Sequence, residues 1–199
     1  MIEVEKKFII DESDIALLAE GAEFVGKKTF TDVYYDTTDY LLTARDHWLR
    51  FRDGRPELKV PMSEVITRSA EQYEEMEDES QIRKLLNLPE EGRFEQVLNE
   101  NGFAKFCVCT TTRQKYTKDG FIIDLDEVRY PEFVYKVGEI ELLVKDKTEM
   151  EEASQKIIAF AKANGIKFAP VRGKVIEYLK RIRPEHYRAM VEAKVIIDY

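Results

Sequence analysis

Cysteine is nearly absent from this chain, with only Cys107 and Cys109 among 199 residues. Two apart on a strand, their side chains point to the same side, the wrong geometry for a routine disulfide. They read as two reduced thiols, as expected of a cytoplasmic protein. Histidine is as scarce, with His47 and His186 only, and neither neighbours the cysteines in sequence, which argues against a zinc site. There is no basic excess: Lys and Arg number 31, Asp and Glu 39, for a formal net charge of −8. Non-specific nucleic-acid affinity rests on basic patches, so nucleic acid is not the expected partner. No apolar run approaches the ~20 residues of a membrane helix. The first ten residues alternate in charge where a secretory signal is continuously apolar. Internal repeats, low-complexity tracts and linkers are missing too.

What is present is core-forming. Hydrophobic residues make up 44 % and aromatics 11 %, which suits one domain spanning 1–199. Helices are expected at Ile15–Glu20 behind N-caps in Asp11-Glu12-Ser13-Asp14, at Ser80–Asn87, and at Phe94–Asn101. Another opens on the capping box Thr148-x-x-Glu151 and ends at Asn164-Gly165. Lys174–Ile182 carries one apolar stripe, and Pro184 restarts a last helix through His186 and Met190. Strands are expected at Ile2–Ile10, Thr29–Tyr35, Trp48–Arg52, Glu57–Val60, Glu71–Met76, Cys107–Thr117, Phe121–Val128 and Val134–Val144. Asp53-Gly54 and Asp119-Gly120 are tight-turn signals between them. The fold class is α+β, built on antiparallel strands.

The strands share an unusual alternation. Successive side chains point to opposite faces, and in the first strand Glu3, Glu5 and Lys7 oppose Ile2, Val4, Lys6, Phe8 and Ile10, a mostly apolar set. Trp48, Arg50 and Arg52 oppose Leu49 and Phe51. Glu57 and Lys59 oppose Leu58 and Val60. Glu71, Tyr73 and Glu75 fall together, as do Arg113 and Lys115. Asp124 and Asp126 oppose Ile123 and Leu125, and Glu139 and Glu141 oppose Ile140 and Leu142. A sheet with one face in water alternates in the same way. Here the split recurs in seven strands, with basic residues concentrated in some and acidic residues in others, as opposite charges meet across a shared cavity. A closed barrel keeps a polar interior when it holds a ligand.

Glu3-Val4-Glu5-Lys6-Lys7 resembles the ExExK motif of the CYTH proteins, also called triphosphate tunnel metalloenzymes. Thr31-Asp32-Val33-Tyr34-Tyr35-Asp36-Thr37, Asp46-His47-Trp48-Leu49-Arg50 and Glu57-Leu58-Lys59 resemble the mammalian thiamine triphosphatases of that family in order and spacing. Val137-Gly138-Glu139-Ile140-Glu141 and Lys174-Val175-Ile176-Glu177-Tyr178-Leu179 continue the likeness over nearly the whole chain. The turn at Asp53–Pro56 looks shorter than in those relatives, and their longer tail is not seen after Tyr199.

The resemblance implies an eight-stranded antiparallel closed barrel, a triphosphate tunnel, with helices packed outside. It implies a hydrolase acting on thiamine triphosphate with Mg2+, working as a cytoplasmic monomer without a membrane. It places Lys7, Arg50, Arg52, Arg113 and Lys174 on the phosphates, where cationic forks suit phosphate oxygens. Glu3, Glu5, Glu75, Asp124, Glu139 and Glu141 become the metal side, since magnesium takes oxygen ligands; Asp126 shares the face of Asp124. A Lys59–Tyr34 dyad would activate water, and Trp48 would stack on the thiazole, a permanent cation attracted to an indole face. Rival readings are a tripolyphosphatase or cyclase of the same family, and a non-catalytic module that binds polyphosphate.

Overall fold

The computed structural model describes residues 2–10, 12–62, 71–166 and 171–198, with backbone only at 12–14, 71 and 72. Asp11, an expected helix cap, lies outside the described residues. The strands are β1 Ile2–Ile9, β2 Glu23–Thr37, β3 Trp48–Arg52, β4 Arg55–Pro61, β5 Glu71–Met76, β6 Phe103–Lys118, β7 Phe121–Arg129 and β8 Val134–Val144. The helices are α1 Glu12–Ala19, α2 Glu79–Leu85, α3 Phe94–Glu100, α4 Met150–Ala163, α5 Lys174–Ile182 and α6 Pro184–Glu192. The strands close an antiparallel barrel in the order β1-β5-β4-β3-β2-β6-β7-β8.

Both Asp-Gly signals are hairpin turns. Asp53 and Gly54 have φ of 49° and 82°, and Asp119 and Gly120 have 51° and 83°, the pair of positive angles that matches strand twist. Three details depart from the sequence reading. β2 and β6 are longer than expected, at 15 and 16 residues. Each starts within two residues of a glycine that turns the chain out of a helix, Gly21 at φ 71° and Gly102 at φ 85°, so no loop intervenes. The side-chain cap ahead of α4 belongs to the 3-10 turn that precedes it and comes from Asp146, not Thr148. Its carboxylate accepts the Thr148 N–H at 2.8 Å, and a short 3-10 turn, Lys147–Glu149, leads into the helix.

The chain forms two compact units. The first comprises Met1–Thr29, Thr67–Tyr73 and Thr110–Glu177; the second Phe30–Ile66, Glu74–Cys109 and Tyr178–Tyr199. In the first, the apolar strand face of Val4, Phe8, Ile123, Leu125 and Ile140 packs against Met150, Ala153, Ile157, Phe160 and Ala161 of α4. Each of the larger side chains, the alanines aside, contributes about 1.5–3 kcal/mol on burial. Phe8 lies opposite Gly138 in the β1–β8 register. A Cβ on Gly138 would stand 2.2 Å from the Phe8 ring, so this glycine makes room for the phenyl. In the second unit Tyr35, Leu49, Phe51 and Leu58 pack against Ile82 of α2 and Phe94, Val97 and Leu98 of α3.

With helices on the apolar face, the opposite face of the same strands carries the charges. It is not a wetted surface. Asp32 and Asp124 are fully buried, and Glu5, Arg50, Asp126 and Glu141 are buried as well. Burying charge is costly unless partners offset it, so the placement of those partners decides what each face can do.

Candidate functional site

Register builds the charged face of the first unit. Glu5 pairs with Glu141, and Lys7 with Glu139, across β1–β8. Glu139 in turn pairs with Asp124 on β7, and Asp124 with Lys115 on β6. Directly opposed residues share a face, so carboxylates from three strands converge. Ligand atoms of Glu3, Glu5 and Glu141 lie within 4.8 Å of one another, and so do those of Asp124, Glu139 and Glu141. Glu141 belongs to both groups. Burial, then the charges of Glu3, Asp124, Glu139 and Glu5, push its carboxyl up to about 9, because like charges at this spacing resist ionising together.

Cations partly relieve the crowding. Lys7 is hydrogen-bonded to Glu5 and lies 3.7 Å from Glu139. The Arg113 guanidinium forks onto both oxygens of Asp126 at 2.7 Å, donates to Glu139 at 3.1 Å and also contacts Asp124. Burial works against its charge, but Asp126, Glu139 and Asp124 more than offset that and hold it firmly protonated. Lys115 stands 2.8 Å from Oδ1 of Asp124, yet that buried oxygen accepts no hydrogen bond. An all-carboxylate donor set with an under-used oxygen suits a hard divalent cation, whose charge would favour the ionised form of Glu141. Lys174 opens α5 and reaches Thr111 at 3.4 Å. Tyr130 and Tyr135 donate to the carbonyls of Lys174 and Arg172, both at 2.7 Å, and hold that segment. Lys7 runs beside it, its Cε 3.5 Å from where a Cβ on Gly173 would stand.

The second unit stacks its charges in rows. Asp32, Arg52 and Arg55 form one row across β2, β3 and β4; Tyr34, Arg50 and Glu57 form the next; Trp48 and Lys59 follow. Arg50 donates to Glu57 at 2.6 Å and to Glu75 at 2.8 Å. Arg52 forks onto Asp32 at 2.8 and 3.1 Å and lies over the Phe30 ring. Burial disfavours the Arg50 charge, but Tyr34, Asp32, Glu57 and Glu75 more than compensate and keep it protonated. Tyr34 is buried and accepts from Arg50 at 3.4 Å. Burial, then Asp32, raises its phenol above the ordinary value, and Arg50 pulls the other way.

The structure therefore gathers Glu3, Glu5, Lys7, Arg113, Asp124, Glu139 and Glu141 in the first unit, with Lys174 on its own anchored segment. It gathers Tyr34, Arg50, Arg52 and Glu75 in the second, with Trp48 and Lys59 in the adjoining row. Glu75, expected on the metal side, meets Arg50. Asp32, Glu57 and Lys115 were not singled out as site residues by sequence reasoning. The alternation did contain Glu57 and Lys115; Asp32 stood only in the family-like motif of the second strand, where it shares a face with Tyr34.

Asp36 and His186 were likewise missed. The Asp36 carboxylate accepts the Leu42 and Thr43 N–H groups, both at 2.9 Å, and the Thr43 hydroxyl at 2.6 Å. With that hydroxyl committed as donor, His186 Nε2–H donates to Thr43 Oγ1 at 2.7 Å. Burial lowers the His186 imidazole to about 4, so it is neutral at physiological pH.

Comparison with known proteins gives this geometry a family. The family model described as the CYTH domain matches residues 1–168. The chain is 32% identical over 209 residues to the thiamine-triphosphatase of Macaca fascicularis, covering 96% of this chain and 90% of that protein. Identity to the thiamine-triphosphatase of Homo sapiens is 32% over 212 residues, with the same coverage. Among solved structures, the PH1819 protein from Pyrococcus horikoshii OT3 superposes with a TM-score of 0.66 at 26% identity, over 90% of this chain and 99% of that one. The converging carboxylates, the arginine rows and these matches agree: the chain belongs to the CYTH family.

Proposed function

We propose that this protein hydrolyses thiamine triphosphate to thiamine diphosphate and phosphate with the help of Mg2+, as a cytoplasmic monomer. The observation that carries the reading is the cluster of buried Glu5, Asp124 and Glu141 with half-buried Glu3 and Glu139, beside Lys7 and Arg113. Such crowded carboxylates are costly to a protein that never takes up a cation. The likeness to the thiamine-triphosphatases supports the choice of substrate.

In this reading Glu3, Glu5, Asp124, Glu139 and Glu141 hold the metal, with Glu75 as a further carboxylate. Bound there, Mg2+ would neutralise charge developing on the phosphoryl oxygens and orient the terminal phosphoryl group. Lys7, Arg50, Arg52, Arg113 and Lys174 bind the phosphates, whose oxygens replace carboxylate partners of the arginines. Water attacks the terminal phosphorus. The bridging P–O bond breaks, and its electron pair leaves with the diphosphate. Tyr34 takes the proton of the attacking water, with Lys59 in the neighbouring row stabilising the phenolate. Burial holds that phenol up in the ligand-free protein, so the dyad depends on Arg50 and Lys59 prevailing once substrate is bound. The indole of Trp48 receives the thiazolium, since an aromatic face attracts a cation.

Trp48→Ala tests the substrate. It is expected to lower kcat/KM for thiamine triphosphate about tenfold and to affect inorganic tripolyphosphate less, measured as phosphate release. Equal losses on the two substrates would count against a thiamine-binding role.

A further inference from the structure

Trp48 does not stand alone on its strand. Its indole Nε1–H donates to Oδ1 of Asp46 at 2.9 Å, and Asp46 sits where the backbone turns left-handed, at φ 60°. The turn is tightly closed. The Asp46 N–H donates to the Thr43 carbonyl and the His47 N–H to the Leu42 carbonyl, both at 3.0 Å. This crossed pair of bonds ends a helical turn at a left-handed residue, a position that strongly favours glycine. Aspartate carries a conformational cost there that glycine would not.

The turn is also braced from behind. Thr43, its first residue, is held by the Asp36 carboxylate and by His186 of α6. His186 stacks on Tyr40, itself left-handed at φ 62°, with ring centroids 4.1 Å apart. The Asp46 carboxylate is thus presented from a fixed frame. A carboxylate presented from this frame and bonded to the indole of the only tryptophan in the chain points to a role beyond folding.

We propose that Asp46 is a positioning and specificity-determining residue: it fixes the plane of the Trp48 indole and enriches that ring as a platform for an organic cation linked to the triphosphate. The physics is direct. A bond from the indole N–H to a carboxylate locks the ring rotation and pushes electron density into the π system. A negative charge at the ring edge further favours a cation on its face. The inference rests on the thiamine triphosphate reading and assigns part of the selectivity to a residue that need not touch the phosphates.

The test uses Asp46→Gly, Asp46→Asn and Trp48→Ala. KM and kcat are measured with thiamine triphosphate and with inorganic tripolyphosphate in Mg2+, beside melting temperature and the emission of the single tryptophan. Asp46→Gly is expected to raise KM for thiamine triphosphate about tenfold, with kcat and both tripolyphosphate constants within about twofold. Its tryptophan emission changes as the carboxylate leaves the indole N–H, while its melting temperature holds or rises because glycine relieves the left-handed backbone. Asp46→Asn keeps a neutral acceptor and a residue tolerant of that backbone, and its KM rises less. Unchanged KM and emission in Asp46→Gly, or equal losses on both substrates, would overturn the inference. A silent Asp46→Gly beside a selective loss in Trp48→Ala removes only the role of Asp46. A Trp48→Ala protein that retains wild-type KM for thiamine triphosphate removes the substrate reading and this inference together.

Discussion

The two units treat buried charge in opposite ways. In the second, Asp32 lies against Arg52, and Glu57 and Glu75 lie against Arg50. In the first, acids outnumber their cations, and Glu141 is pushed up to about 9 by burial and by four neighbouring carboxylates. One face is close to electrostatically satisfied; the other carries an excess of carboxylates. Paired arginines can exchange carboxylate oxygens for phosphate oxygens at little cost. Crowded carboxylates gain most when a metal arrives. The asymmetry fits the proposed binding of a metal–triphosphate complex.

Arg50→Ala should break the satisfied side most severely. It leaves Asp32, Glu57 and Glu75 without their shared guanidinium in a buried setting, at a cost of about 3–5 kcal/mol. The measurement is the denaturation midpoint, and a change below ~1 kcal/mol would show these acids to be solvated.

Glu141→Gln should act in the opposite direction. The ordinary carboxyl value is 4.5 and the folded one about 9. Between them the folded chain keeps a proton that the unfolded chain has released, so metal-free stability falls as pH rises through that window. The neutral amide removes this dependence and stabilises the metal-free protein by on the order of 2 kcal/mol at pH 7, while metal-dependent phosphate release is lost. A midpoint that falls, or a pH slope unaltered from wild type, would contradict the crowding.

Tyr34→Phe is the mildest of the three for stability, since it removes only a 3.4 Å bond from Arg50, worth under ~1 kcal/mol. Its effect belongs in turnover, with kcat reduced about 100-fold and KM little changed, within the range of general-base contributions. Wild-type kcat would exclude Tyr34 as the base.

Much of this contrast could be read from the chain. Glu3-x-Glu5-x-Lys7 and Glu139-x-Glu141 declare a charged face by period-two spacing alone, and the apolar residues between them declare the face that α4 covers. What period two cannot express is pairing across strands. That Glu75 meets Arg50 depends on register, which hydrophobic alternation leaves undetermined by steps of two. The Trp48–Asp46 bond depends on one left-handed residue, and aspartate is not the residue that advertises such a turn. The His186–Thr43 contact joins positions 143 apart in sequence, with no local pattern at either end. The fold and the chemistry of each face are local signals; the brace behind Trp48 is a tertiary one.

The most direct test of the account is a kinetic panel on the purified wild-type protein: phosphate release from thiamine triphosphate, inorganic tripolyphosphate and ATP, each with Mg2+ and with chelator. The account predicts metal-dependent release with the highest kcat/KM on thiamine triphosphate. A higher kcat/KM on tripolyphosphate or ATP, or tight binding with no phosphate released from any of the three, would contradict it.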